Sequence, residues 1–175
     1  SAALIVLACA APMAAAQTSC VDLTGMTIPA GAIGLPTTGG AVTSATLVPA
    51  AGTGAAFVAE YCRVSGQISP VDPSAPNILF RVALPTSWNQ KALMYGGGGF
   101  DGSIPSVTGN VPAGASGRPL PVTRGYAVFA SDSGHQAGAL GSLDGSFGLN
   151  DESLRNWGGD ALKKTRPTIG VDLLF

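Results

Sequence analysis

Four consecutive glycines at positions 96–99 follow directly on a short apolar run at 92–95. Because glycine has no side chain, the backbone can turn sharply there and leave its N–H groups accessible to a ligand. Such a loop can bind a phosphate, stabilise an oxyanion or serve as a purely structural turn. The phosphate interpretation lacks the Lys-Ser/Thr pair of a P-loop and the spaced glycines of a dinucleotide site. The oxyanion interpretation suits a hydrolase whose second N–H donor follows its nucleophile.

Short apolar and β-branched runs, separated by Gly and Pro, predict a succession of strands. The predicted strands are residues 42–48, 61–68, 77–84, 92–95 and 125–130, with a long loop at 102–121 between the last two. Helix signals come later in the chain. They are cap-type residues at 150–153 and helix formers at 160–166, after which Pro167 is expected to stop or kink the helix.

Residues 1–16 carry no charge and resemble the remnant of a secretory signal peptide. An apolar run at 1–10 is followed by small residues before Gln17, as in the core and cleavage site of such signals. The run is too short to span a bilayer as a stable helix. A buried Ala-rich helix is the alternative interpretation. The export signal predicts a secreted or periplasmic protein that is not membrane-bound.

Export also bears on the three cysteines. Cys9 lies inside the presumed signal, which leaves Cys20 and Cys62 as an even pair in an oxidising compartment. We therefore predict one disulfide between them, with two free buried thiols as the alternative. Two cysteines and one distant histidine make a poor metal site, so no metal is expected. The net charge of −1 and the lack of Lys/Arg clusters also argue against nucleic acid as a partner.

A polar segment at 131–135 follows the predicted strand at 125–130 and contains His135, the single histidine of the chain. A Ser–His–Asp triad within this segment is disfavoured, because residues so close in one turn rarely align at hydrogen-bond distance. We expect instead that Asp132 and His135 bond to nearby backbone and hold the loop. The chain contains no Gly-x-Ser-x-Gly nucleophile elbow.

Several blocks, taken in order, resemble the tannase and feruloyl esterase family, which includes the mono(hydroxyethyl) terephthalate hydrolases. The resemblance extends from Cys20 to Arg166 and fades after Arg166. The blocks are YCRVSG at 61–66, the segment 78–89 ending LPTSWN, GGGGFDG at 96–102, RGYAV at 124–128 with SDSGH at 131–135, and ALKKT at 161–165.

The resemblance implies an α/β fold, an α/β-hydrolase with a lid domain inserted late in the chain. Residues 17–175 would form its N-terminal part, with the first strands and first helix but neither the nucleophile elbow nor the lid. Gly99 matches the backbone N–H donor of the oxyanion hole, and Gly98 lies beside it as possible support. His135 matches a structural Gly-His loop and not the catalytic histidine. The lid's calcium site would lie outside the chain, so no cofactor is expected.

The resemblance further implies hydrolysis of small esters of phenolic or aromatic acids through a serine acyl-enzyme. Because the serine, acid and histidine of the triad have no counterparts here, the chain alone is expected to be inactive. The alternative is a non-catalytic, secreted, β-rich module that binds polysaccharide or a protein. Such modules usually expose a row of aromatic side chains, whereas only 6% of these residues are aromatic.

Overall fold

The computed structural model describes residues 19–111 and 114–172, with side chains as far as Gly170. Six strands form one mixed sheet in the spatial order β1-β2-β3-β4-β6-β5. The strands are β1 Thr27–Ile28, β2 Gly39–Val48, β3 Tyr61–Ser69, β4 Ile78–Pro85, β5 Ala92–Tyr95 and β6 Ala127–Ser131. The α-helices are α1 Ala30–Ile33, α2 Asp151–Arg155 and α3 Ala161–Asp172. Short 3-10 helices occupy Cys20–Leu23, Gly54–Ala56, Gly141–Leu143 and Ser146–Leu149.

The strand pairs of the sheet do not all run in the same sense. The pairs β1–β2, β2–β3, β3–β4 and β4–β6 are antiparallel, whereas β5 and β6 are parallel. The parallel register aligns Ala92 with Ala127 and Tyr95 with Ala130, so β5 and β6 end at the same edge of the sheet. A parallel pair needs a long crossover, and residues 96–126 provide it. These elements make the fold α/β with a mixed sheet.

Both faces of the sheet are buried around β4 and β6. Phe80 and Val82 of β4 are fully buried on one face, and Gly66 of β3 pairs with Phe80 so that the ring covers the glycine. On the other face, Ala83 packs with Tyr95. The first face packs against the N-terminal segment and α3, through the cluster Leu23, Ile28, Ile33, Val42, Val64, Ile68, Ile78, Phe80, Val82, Phe129, Ala161 and Ile169. The sheet is thus the centre of the core.

The predicted disulfide is present and joins Cys20 to Cys62. It links the first 3-10 helix to the start of β3, with a sequence separation of 42 residues. Closing a loop of this length stabilises a fold by about 4 kcal/mol in the chain-entropy model. The sulfur atoms also contribute to the apolar core. The prediction of a signal peptide concerns residues 1–16, which lie outside the described residues.

The five strand predictions are confirmed, with ends displaced by a few residues. The loop at 102–121 contains neither helix nor strand in its described part. The helix after Asp160 also forms, but a stop at Pro167 is wrong, because α3 continues to Asp172. Thr168 and Ile169 are both buried, and Ile169 belongs to the core cluster on the sheet, which favours continuation and offsets the backbone hydrogen bond that proline cannot make.

The buried Glu152 carboxylate connects the helical layer, formed by α2, α3 and the short helices before them, to the turn between β3 and β4. It is also the anionic partner in a buried ion pair. Glu152 accepts hydrogen bonds from the Val71 and Asp72 amides, the latter at 2.7 Å. Lys164 Nζ lies 3.3 Å from Glu152 Oε1 and donates to Asn156 Oδ1 at 3.0 Å. Burial alone would raise the pKa of Glu152, but these hydrogen bonds and Lys164 outweigh it and hold the pKa below its ordinary value.

The described residues include no helix that is both long enough and apolar enough to cross a bilayer.

Candidate active site

Two loops emerge side by side from the ends of the parallel strands β5 and β6. We call residues 96–102 the glycine loop and residues 132–137 the histidine loop. The glycine loop begins after Tyr95, whose own side chain is buried, and residues 96–100 are exposed. β5 is the outermost strand at one edge of the sheet, and no other described strand pairs with its outer side. The glycine loop therefore lies beside that edge.

The amides of the glycine loop are mostly unused. Within the described part of the chain, the amides of Gly97, Gly98 and Gly99 donate none of the observed hydrogen bonds. The next two amides are engaged, since Phe100 donates to the Ser142 carbonyl at 2.7 Å and Asp101 donates to the Gly98 carbonyl at 3.0 Å. The loop therefore presents accessible N–H groups on a backbone that is anchored immediately downstream.

Gly99 occupies a position that requires glycine. Its φ of +64° lies in the left-handed region, and a Cβ atom there would lie 2.5 Å from the Ser142 carbonyl oxygen. Gly96 and Gly98 differ, because a Cβ atom at either would meet open space. The requirement for glycine therefore applies to Gly99 and also to Gly97, where a Cβ atom would overlap the Asp101 carboxylate, but not to Gly96 or Gly98.

Asp132 organises the histidine loop from a buried position. Its Oδ1 atom accepts from the amides of Leu79 and Gly134, each at 3.0 Å. Its Oδ2 atom accepts from the Gln136 side chain at 2.6 Å. Burial raises the pKa of Asp132 to about 6, although these hydrogen bonds oppose the shift. The prediction that Asp132 bonds to nearby backbone is confirmed.

His135 is held differently from the prediction. The side chain is 3% exposed, and its ring stacks on Phe147 with the centroids 3.9 Å apart. Neither ring nitrogen makes a hydrogen bond of good geometry to a described residue. Burial lowers the pKa of His135, and the nearby Asp101 and Asp144 carboxylates and the Phe100 carbonyl oppose that shift only in part. Burial of the ring therefore favours the neutral form of the imidazole.

Neither Ser131, at the end of β6, nor Ser133, in the histidine loop, forms a triad with His135. Ser133 Oγ donates to Asp101 Oδ2 at 2.6 Å, which directs this hydroxyl to the glycine loop and not to the imidazole. Ser131 Oγ accepts only a long bond, 3.4 Å, from the Ser133 amide. Because His135 is the single histidine of the sequence, the described residues contain no serine activated by histidine.

Sequence reasoning did not find an aromatic cluster beside the glycine loop. Phe100, Phe147 and Trp157 pack edge-on or tilted, with ring centroids 5.5–6.0 Å apart. Phe100 follows Gly99 directly, and the other two rings come from the helical layer. The sequence carried no signal for this cluster, since the rings are far apart along the chain. Asp101 was also missed as an anchor of the loop.

The described residues contain no group of three or more His, Cys, Asp and Glu side chains that could hold a metal ion. Gly98 and Gly99, the candidate oxyanion donors, lie in the exposed part of the glycine loop. What they can do chemically is donate hydrogen bonds to an anionic oxygen placed beyond the edge of β5.

Residues 62–174 match the family model described as tannase and feruloyl esterase. The match extends past Arg166, beyond the point where the resemblance is expected to fade.

Two curated proteins are similar in sequence. An uncharacterized esterase of Agrobacterium fabrum is 48% identical over 159 residues, which is 89% of this chain and 27% of that protein. A mono(2-hydroxyethyl) terephthalate hydrolase of Piscinibacter sakaiensis is 34% identical over 113 residues, 59% of this chain and 18% of that protein. The chain thus spans about a quarter of the length of the first relative and less of the second.

Among solved structures, an esterase from Aspergillus oryzae superposes with a TM-score of 0.54 at 18% identity. The alignment covers 84% of this chain and 29% of that structure. At this identity the likeness concerns the fold, and it agrees with the α/β arrangement of the sheet and helices.

Proposed function

The chain belongs to the tannase and feruloyl esterase family, and we propose on that basis that it forms the N-terminal part of an exported carboxylic ester hydrolase. The substrates would be small esters of phenolic or aromatic acids. Within this enzyme the glycine loop would supply oxyanion stabilisation, with the Gly99 amide as donor and Gly98 in support. The serine, its acid and its histidine would come from sequence beyond these 175 residues.

The observation that carries this proposal is the unused, exposed amides of Gly98 and Gly99 at the end of β5. In α/β-hydrolases one oxyanion donor follows the nucleophile and the other comes from the loop after the third strand of the fold. A further strand paired with the free edge of β5 would end beside the glycine loop. Its terminal residue would then lie where the Gly99 amide can reach the reacting carbonyl.

In this mechanism the serine hydroxyl attacks the ester carbonyl, and its proton passes to the histidine. The carbonyl oxygen becomes negatively charged and accepts hydrogen bonds from Gly99 and from the residue after the serine. Collapse of the tetrahedral intermediate expels the alcohol, which takes the proton from histidine, and leaves an acyl-enzyme. Water then attacks by the same route and releases the acid. One such donor stabilises the transition state by about 3 kcal/mol.

The disulfide Cys20–Cys62 supports export, because such bonds persist in oxidising compartments. No observation on the described residues favours the non-catalytic binding module.

The test is hydrolysis of methyl ferulate and methyl gallate by the full-length protein and its Gly99→Asp variant. An aspartate at position 99 would have to adopt a positive φ, and its Cβ atom would clash with the Ser142 carbonyl oxygen. It would also add a negative charge beside the developing oxyanion. We therefore expect kcat to fall about 100-fold or more. The matched control is Gly96→Ala, where a Cβ atom meets open space. Residues 17–175 alone should release no product.

Two results would contradict the proposal. One is a full-length protein that hydrolyses neither ester, and the other is a Gly99→Asp variant with the kcat of wild type. A change in the melting temperature of Gly99→Asp is recorded alongside, so that loss of folded protein is separated from loss of catalysis.

A further inference from the structure

Asp101, the next-to-last residue of the glycine loop, has an unusual backbone conformation. Its φ is +66°, and its side chain is only 8% exposed. A non-glycine residue in this region is uncommon, and such strain persists where the surrounding structure holds it in place. The Asp101 amide donates to the Gly98 carbonyl and closes the turn that contains Gly99 and Phe100. The backbone of Asp101 therefore fixes one end of the turn.

The Asp101 side chain fixes the other end. Its carboxylate packs so closely on Gly97 that a Cβ atom at Gly97 would overlap it. The same carboxylate accepts a hydrogen bond of 2.6 Å from Ser133 Oγ. Ser133 belongs to the histidine loop and itself has a φ of +63°. The Asp101–Ser133 hydrogen bond thus joins the glycine loop to the histidine loop. The Asp101 carboxylate that it holds in place packs against Gly97.

Other bonds anchor the chain only downstream of the unused amides. The Phe100 amide is bound to the Ser142 carbonyl, and the Gly102 carbonyl accepts from the Ala137 amide at 2.9 Å. Packing does not restrain Gly98 on its side-chain side, since a Cβ atom built there would meet nothing within 4 Å. Asp101 is therefore the residue whose contacts reach both Gly97 and the Gly98 carbonyl.

We propose that Asp101 and Ser133 are positioning residues, which together fix the direction of the Gly98 and Gly99 amides. This inference rests on the proposed oxyanion role of those amides. Donors that are fixed in advance stabilise a developing charge without reorganising during the reaction. Four glycines have high conformational freedom, so the loop needs such an external restraint to act as a fixed donor.

The kinetic test compares Asp101→Ala, Asp101→Asn and Ser133→Ala in the full-length protein. Displacing a reacting group by about 1 Å costs up to about 100-fold in rate, so Asp101→Ala should lower kcat by about that factor and leave KM within about twofold. Ser133→Ala should lower kcat about tenfold in the same way. Asn tolerates positive φ and keeps an acceptor oxygen for Ser133, so Asp101→Asn should restore most of kcat.

Hydrogen exchange gives a readout that does not need catalysis. The Phe100 and Asp101 amides are both hydrogen-bonded, and Ser133→Ala should raise their exchange rates about tenfold by freeing the loop. Ser106→Ala is the control, because Ser106 is an exposed serine in the following loop whose hydroxyl makes one long contact to Thr108. It should change neither exchange in the glycine loop nor kcat.

The outcomes separate the two proposals. If wild type hydrolyses no aromatic ester, the proposed function fails, and exchange alone decides whether Asp101 and Ser133 restrain the loop. If wild type is active but Asp101→Ala and Ser133→Ala behave like Ser106→Ala in kcat, the positioning role is overturned while the esterase function stands. Equal exchange rates in Ser133→Ala and wild type also overturn the positioning role.

Discussion

The two loops at the end of the parallel strand pair use opposite means to hold their shape. Asp132, Gly134 and His135 of the histidine loop are buried, and side chains fix this loop through three hydrogen bonds to Asp132 and the stacked ring of His135. Residues 96–100 of the glycine loop are exposed, and the amides of Gly97 to Gly99 bond to no described residue. In this comparison the histidine loop is the more firmly supported of the two. We therefore expect Asp132 in the histidine loop to matter mainly for stability and, under the proposed function, Gly99 in the glycine loop to matter mainly for chemistry.

Asp132→Ala should have the largest effect on stability. It leaves the amides of Leu79 and Gly134 without their acceptor, and each unsatisfied buried donor costs about 1–3 kcal/mol. We expect the free energy of unfolding to fall by about 4 kcal/mol in urea titrations of the full-length protein. Ser131→Ala removes only a long hydrogen bond and should cost less than about 1 kcal/mol. Equal effects of the two variants would show that Asp132 is not the support of its loop.

The pH dependence of Asp132 gives the next largest effect. Because its pKa in the folded protein, about 6, exceeds the ordinary 3.8, the folded state binds more protons between pH 4 and pH 6. The contribution of Asp132 to stability therefore decreases as pH rises from about 4 through the folded pKa of about 6, and it levels off about one pH unit above that value. The difference corresponds to about 3 kcal/mol.

The measurement is the free energy of unfolding of wild type and Asp132→Asn at intervals from pH 4 to pH 7. Asparagine keeps the acceptor for both amides, and the Gln136 amide can turn to donate or accept as required. Glu152, Asp144 and His135 also titrate with shifted pKa values, and subtracting the two curves cancels their contributions. A difference curve that does not change with pH would contradict the raised pKa.

The smallest effects come from two glycine substitutions, one in each loop. Gly134 has a φ of +86°, and a Cβ atom there would lie 2.6 Å from Asn156 Cβ, so Gly134→Ala should cost about 2 kcal/mol. Gly96→Ala meets open space, and its unfolding free energy should stay within about 0.5 kcal/mol of wild type or rise slightly. Thermal unfolding followed by circular dichroism measures both. If Gly96→Ala were the more damaging of the two, the division of roles between the loops would be wrong.

The sequence predicts the strands well because their burial follows local patterns. Apolar side chains alternate or cluster within residues 61–68. Residues 92–95 form an apolar run that ends at four glycines, and a glycine run marks the end of a strand. The helix does not stop at Pro167, which was one of the two outcomes predicted there, because the local cost of proline is outweighed by burial of Thr168 and by packing of Ile169 in the core. Local chemistry gave the tendency, and packing decided the boundary.

The candidate site was predictable only in its local parts. The glycines of the loop and the Asp132 network lie within a few residues of a strand end, where turn chemistry can be read directly. The Asp101–Ser133 bond spans 32 residues, and it exists because β5 and β6 are parallel neighbours. The stacking of His135 on Phe147 likewise depends on where the helical layer lies. Neither contact follows from spacing along the chain.

The contact between Glu152 and the β3–β4 turn has a consequence for how this protein opens. The Val71 and Asp72 amides are bound by a carboxylate from α2, about eighty residues away in sequence. Fraying of the hairpin tip would leave the buried Glu152 carboxylate without the two amides that donate to it, and buried polar groups that lose their partners are costly. Tip and helix should therefore behave as a single cooperative unfolding unit, and their amides should exchange with one shared opening energy.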